Sequence, residues 1–245
     1  MSSSRSSFLS RRHPRRRGWL LLAVWSLVLP AALWAQTQRY PLTSTVGLRV
    51  HNVAAEPATL QGKKGLKVVM AEEQRRAVQV GPVVEQLAVI ADLEFGDGTI
   101  TAEIAGDVQP GAAEGARGFV GIAFRLQPDM RTYDAFYLRP TNGRADDQVR
   151  RNHAAQYISH PDWTWSRFRS EFPSKYESYV DLVPGTWTAV KIDVRGVQAR
   201  LYVHDMTQPT LVVNDLKTGA QAKGAVALWL DAGTVAHFRN LTVSK

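Results

Sequence analysis

No cysteine occurs in the 245 residues. That removes disulfides, thiolate metal sites and a lipobox-type anchor, so stability has to come from packing. Long amphipathic helices are missing too: beyond residue 35 no apolar pattern with a period of about 3.6 persists. Serine nucleophile elbows, phosphate-binding glycine loops and dinucleotide fingerprints are absent. The histidines at 51, 153, 160, 204 and 237 show no i,i+2 or i,i+4 pairing, which argues against zinc. The first 35 residues hold no acidic side chain.

What is present begins with that leader. Arg5, Arg11, Arg12, Arg15, Arg16 and Arg17 precede an apolar run from Trp19 to Leu29, then Pro30 and small residues ending at Ala35. This is the layout of a secretory signal, so the chain divides into a signal peptide, 1–35, and one domain, 36–245. The apolar stretch ending at Ala35 has 17 residues, at the lower bound for crossing a bilayer, so an uncleaved anchor stays open. Either way the expectation is export, to a periplasm or outside the cell, with membrane contact only through this segment. The leader also carries most of the charge. The whole chain is +8; without the six leader arginines, 24 basic residues face 22 acidic ones, a net +2. Nucleic acid is therefore not an expected partner.

Residues 36–245 read as about thirteen short β-rich runs separated by turn residues. "LAVIADLEF" (87–95) and "GTITAEIAG" (98–106) flank Gly96-Asp97-Gly98, a hairpin signal. "FVGIAFRL" (119–126) and "YDAFYLRP" (133–140) flank Gln127-Pro128-Asp129. Alternation gives each strand one core face. Val120, Ile122 and Phe124 lie opposite Arg125, and Val190, Ile192 and Val194 lie opposite Lys191 and Asp193. Strands without crossover helices must pair antiparallel, and a closed barrel of this size would leave its interior unfilled. The expected class is all-β, a jelly-roll sandwich of two antiparallel sheets.

Within that pattern "FYLRPTNGRADDQVRRNH", Phe136 to His153, stands out for four arginines, two asparagines and a histidine. Tyr137 and Arg139 share a face, and Arg125 leaves the core face of its own strand. If these strands pair, Arg125, Tyr137 and Arg139 project together into one trough. Asn142, Arg144, Arg150, Arg151, Asn152 and His153 join from the loop, Tyr157 from the next strand, and Trp165 from "HPDWTW". Such a mixture suits a carbohydrate: amides and guanidinium groups bond to neighbouring hydroxyls while an aromatic face covers the sugar's C–H surface. Arginine also grips a carboxylate or sulfate, so an acidic saccharide fits as well. The alternative is a solvated loop in which Asp146 and Asp147 pair with its own arginines. Trp163 and Trp165 either plug the loop or face a sugar; Trp187 and Trp229 read as core.

Catalysis leaves a fainter trace. A glycosidase needs paired carboxylates, roughly 5 Å apart for retention or 6.5–9.5 Å for inversion. Only Asp92 and Glu94 stand two apart on an expected strand, while Glu177 and Asp181 are too far apart to cooperate. With His153 they are the candidate catalytic residues. No cofactor is expected, although Asp92, Asp97 and Asp231 could supply oxygen ligands to a structural Ca2+.

The segments "FGDGTITAEIAG", "GFVGIAFR", "YDAFYLRPTNGRADDQVRRNHAAQYISHPDWTW", "KYESYVDLVPGTWTAVKIDVRG", "PTLVVNDLK" and "HFRNLTV" together resemble the 3-keto-disaccharide hydrolase-like domain. That family lies in the concanavalin A-like lectin/glucanase superfamily, alongside laminin-G-like domains. The resemblance spans roughly residues 40–245 and implies a jelly-roll sandwich, export and work on carbohydrate. It also implies cleavage of glycosides oxidised at the sugar's 3-position, by proton abstraction and elimination followed by hydration. His153 or a carboxylate would be the base, and Arg125 or Arg139 the oxyanion stabiliser. The E-x-D-x-x-E strand motif of the laminarinase branch is missing, which disfavours ordinary glucanase chemistry. Three readings stand: a hydrolase or lyase on modified glycosides, a non-catalytic carbohydrate-binding module, and a laminin-G-like interaction domain.

Overall fold

β-Branched and aromatic residues at alternate positions pair the chain into two antiparallel sheets. The computed structural model describes residues 37–78 and 84–245; the arginine-rich leader lies outside the described residues. One sheet contains β2 (Leu48–His51), β5 (Gln86–Ile90), β7 (Val120–Leu126), β8 (Tyr133–Leu138), β9 (Ala155–His160), β10 (Glu177–Ser178) and β14 (Ala225–Leu230). Its order is β10-β9-β8-β7-β14-β5-β2. The other contains β1 (Thr37–Tyr40), β3 (Val53–Leu60), β4 (Lys63–Met70), β6 (Gly98–Val108), β11 (Thr188–Arg195), β12 (Gln198–Val203), β13 (Leu211–Val213) and β15 (Thr234–Ser244). Here the order is β13-β12-β11-β6-β15-β4-β3, with β1 on the C-terminal half of β15. Three short helices, α1 (Glu72–Val78), α2 (Gln148–Asn152) and α3 (Trp165–Glu171), complete the described part.

The expected all-β jelly roll of two antiparallel sheets is what forms. Val120, Ile122 and Phe124 of β7 meet Ile104, Ile192 and Phe238 between the sheets. Lys191 and Asp193 of β11 turn away and pair with each other at 3.3 Å. Two strands escape the sequence pattern. β3, "VAAEPATL", is rich in weak β-formers and holds Pro57, which an edge strand tolerates because its outer N–H groups need no partner. β1 is only four residues long.

Other expectations are corrected. Gly96-Asp97-Gly98 does not close a hairpin: β5 pairs with β14 and β2, whereas β6 pairs with β11 and β15, so the turn carries the chain from one sheet to the other. Nor does every strand have a single core face. Leu87, Val89, Tyr133, Tyr137, Ile158 and Trp229 form a second buried cluster on the outer face of the seven-stranded sheet. Trp229 therefore lies outside the inter-sheet core, and its Nε1 donates to the Tyr133 hydroxyl at 2.9 Å. Trp187 is half-buried and donates to the Leu60 carbonyl at 3.0 Å.

The largest correction concerns Arg125. Leu126 pairs with Ala225 and Ala123 with Ala227, so two residues of β7, Phe124 and Arg125, oppose the single Val226. This is a β-bulge, with Arg125 in the left-handed region at φ 55°. One extra residue breaks the alternation and takes Arg125 off the face that bears Tyr137 and Arg139. Its side chain is fully buried near the end of β7 remote from the loop that follows β8.

Candidate functional site

Antiparallel pairing places the start of β7, the end of β8, the start of β9 and the end of β14 side by side. The loops joined to those ends, 109–119, 139–154 and 231–233, gather there and enclose a cleft of about 990 Å3. Arg139, Asn142, His153 and Trp165 line it, as do Arg117, Phe119, Arg150, Arg169 and Asp231.

Arg139 closes the floor. It is 5% exposed; its Nη1 donates to the His153 carbonyl at 2.8 Å, and its Nη2 to the Tyr137 hydroxyl at 2.6 Å. Both also approach the Gln156 amide oxygen at 3.2 Å. Its guanidinium lies 4.9 Å above the Tyr137 ring and 5.8 Å from that of Phe119. Tyr137 is buried beneath, not open to the cleft, and burial pushes its phenol up to about 12.

α2 forms one wall. Asp147 caps it, accepting from the Arg150 N–H at 2.7 Å. That short turn brings Arg150 back over the loop, where its Nε donates to Asn142 Oδ1 at 2.9 Å and its Nη2 to the Thr141 hydroxyl at 3.1 Å. Opposite, Arg117 donates through Nη1 to the carbonyls of Glu114 and Ala116.

His153 follows α2, with Nδ1 2.7 Å from Glu177 Oε2, a close contact without the alignment of a hydrogen bond. Arg169 grips the same carboxylate from α3 through Nη2 at 2.9 Å and lies 4.9 Å over the Trp165 ring. Burial lowers the pKa of His153, and the Glu177 carboxylate only partly offsets this. Asp231 is the second titratable group on the wall. Burial raises its carboxyl pKa, while its Oδ1 accepts from the Ala232 N–H at 2.7 Å.

The remaining expected site residues lie elsewhere. Arg144 pairs with Asp181 on the surface at 2.7 Å. Tyr157 is core, donating to Asp134 at 2.6 Å and accepting from the Lys217 N–H at 3.0 Å. Asp92 and Glu94 follow the end of β5 at the opposite end of the sheet from the cleft, exposed and outside any strand, so their two-residue spacing has no geometric meaning. Trp163 plugs the α3 segment, stacked on Phe168 at 5.3 Å, whereas Trp165 is 44% exposed at the cleft. Asp97 accepts from Arg125 and Gly196 at the other end of the molecule from Asp231. Among the described residues no three acidic or histidine side chains cluster as a metal site would require.

Arg117, Phe119 and Arg169 escaped the sequence reading, and Glu177 and Asp231 were weighed there only for other roles. "QPGAAEGARGF" offers only Glu114 and Arg117 among small residues, and the His153–Glu177 contact depends on β10 pairing with β9. No family model matches the chain. No curated protein matches it either. Solved structures do. A galectin-like protein from Bacillus subtilis is 14% identical with a TM-score of 0.51, over 84% of this chain and 94% of that one. A carbohydrate-binding module, CBM66, also from Bacillus subtilis, is 11% identical with a TM-score of 0.50, over 80% and 97%. Peanut lectin is 8% identical with a TM-score of 0.48, over 86% and 97%. At such identities the likeness is one of fold: the chain shares the sandwich of the two Bacillus subtilis proteins, and the likeness stops short of the narrower 3-keto-disaccharide hydrolase-like group.

Proposed function

We propose that the protein is an exported, saccharide-directed sandwich domain whose cleft cleaves glycosides oxidised at the 3-position. The observation that carries the reading is His153: an imidazole on the cleft wall with its Nδ1 2.7 Å from the buried Glu177 carboxylate, the side chain placed to act as a base. The basic leader supports export, and the fold shared with a carbohydrate-binding module supports the ligand class.

In a 3-keto glycoside the C2–H is acidified by the neighbouring carbonyl. His153 takes that proton, the C–H electron pair forms the C1=C2 bond, and the C1–O bond breaks. The leaving alcohol picks up a proton, and water then adds across C1=C2 to give the free 3-keto sugar. Arg139, with Arg125 far from the cleft, is the guanidinium left to stabilise the enolate oxygen. This chemistry needs one base and one cation instead of a carboxylate pair.

Trp165 favours a second reading, a non-catalytic carbohydrate-binding module, because an exposed indole at a cleft mouth is a surface for a sugar's C–H face. The interaction-domain reading loses its basis: of the arginines at 139, 144, 150 and 151, only Arg144 has an acidic partner among the described residues, and a cleft is present. The test is to incubate the full chain with native and 3-keto disaccharides. Turnover of the keto substrate alone, falling about a hundredfold or more in His153→Gln, is the expected result. Binding without turnover transfers the protein to the binding-module reading, and absence of both binding and turnover removes the saccharide assignment.

A further inference from the structure

The proposed function identifies a saccharide but not its charge. Arg117, Arg139 and Arg150 line one cleft, and each is oriented by neutral acceptors alone: backbone carbonyls, the Gln156 and Asn142 amide oxygens, and the Tyr137 and Thr141 hydroxyls. Among the described residues none of the three has a carboxylate within salt-bridge distance. Several other arginines do: Arg125 with Asp97, Arg144 with Asp181 and Arg167 with Glu171 outside the cleft, and Arg169 with Glu177 on its wall. Donors also remain unused there, Nη1 on Arg150 and both Nε and Nη2 on Arg117.

Three partly or wholly buried cations without a counter-charge are costly in a folded protein, and a ligand that brings the missing charge relieves the cost. The arginines are near enough to repel one another: burial lowers the pKa of Arg117, the charges of Arg150 and Arg139 lower it further, and Glu114 offsets only part of this. Neither acid on the wall lies within salt-bridge distance of them: Asp147 accepts from the Arg150 backbone N–H as the α2 cap, and Asp231 accepts from the Ala232 N–H. Nor is the cluster part of a generally basic surface, since the chain beyond the leader is close to neutral.

We propose that the cleft selects saccharides bearing an oxyanion, a uronate carboxylate or a sulfate ester, gripped by Arg117, Arg139 and Arg150. This rests on the saccharide reading of the same cleft and narrows it. A guanidinium offers parallel N–H groups that match either oxyanion, and such charge-assisted bonds are about twice as strong as neutral ones.

The experiment is calorimetric titration of the full chain with digalacturonate, its neutral methyl ester, a monosulfated disaccharide and inorganic sulfate. Digalacturonate or the sulfated sugar should bind at least about tenfold more tightly than the ester. The preference should shrink with added salt and collapse toward unity in Arg117→Gln and Arg150→Gln. Arg144→Gln, outside the cleft, should keep it, and circular dichroism checks that each variant is folded. Equal binding of charged and neutral sugars overturns the oxyanion proposal and leaves the saccharide reading intact. Binding of inorganic sulfate with no sugar bound overturns both, leaving an adventitious ion only, and no binding at all does the same.

Discussion

A guanidinium carries five N–H groups, and at Arg125 each has an acceptor inside the fold. Nε donates to the Gly96 carbonyl at 3.1 Å, Nη1 to Gly219 at 2.9 Å and more distantly to Thr218, and Nη2 to Gly196 at 2.8 Å and Asp97 at 3.1 Å. One side chain thus ties together three loops at the end of the sandwich remote from the cleft. Arg125→Met leaves those carbonyls and the nearby buried Asp134 without a cation, so it should cost about 3–5 kcal/mol in urea unfolding. Arg144→Ala breaks a solvent-exposed pair with Asp181 and should change stability by no more than about 1 kcal/mol. Equal effects from the two substitutions would contradict the assignment of Arg125 as an internal tie. Alternation alone could not tell Arg125 from Arg139: both look like polar residues leaving the core face of a strand, and the bulge that sets Arg125 apart depends on the partner strand.

Elements place the cleft through close contact between strands. Gly121 of β7 faces Tyr137 on β8 and Trp229 on β14, and the absence of a side chain lets those rings stack across it at 4.7 Å. A Cβ at Gly121 would collide with the Phe136 carbonyl and the Tyr137 Cβ. Gly121→Ala should therefore cost about 1–3 kcal/mol of stability in a thermal melt, by overpacking the layer that carries Arg139. Gly115→Ala, with open space around it, should be within about 0.5 kcal/mol of the parent. A neutral Gly121→Ala would mean that β7 and β8 can part without loss. The sequence made most of these elements legible. Period-two runs such as "FVGIAFRL" and "TWTAVKIDV" carry a local signal, and Gln127-Pro128-Asp129 does link paired strands. The sheet to which each strand belongs is a different kind of fact. Gly96-Asp97-Gly98 has hairpin chemistry but is used as a crossing, because Asp97 is taken by Arg125 and Gly196, both distant in sequence.

Taken as a whole, the sandwich carries its cleft at one end, and part of that cleft's lining lay in segments the sequence singled out. Arg139, Asn142 and His153 come from one polar stretch and Trp165 from the segment after β9, whereas Arg117 and Asp231 reach the cleft, and Glu177 reaches His153, only through sheet topology. The same packing sets how stability responds to pH. His153 and His237 both have pKa values lowered from 6.5, in each case chiefly by burial. The unfolded chain therefore binds protons at these positions before the folded protein does. As pH falls through 6.5, ν in the unfolded state exceeds ν in the native state, and the folding free energy declines. The decline ends once pH has passed below the depressed native values. The acidic groups whose pKa is raised by burial, Asp134 and Asp231, act with the opposite sign, since their contribution is lost as pH rises through their folded pKa. Urea midpoints recorded between pH 7.5 and 5.5 should therefore drop with acidification, and the double variant His153→Gln, His237→Gln should show a flatter profile over that interval. A double variant as pH-sensitive as the parent would show that the two buried imidazoles are not what links protonation to folding.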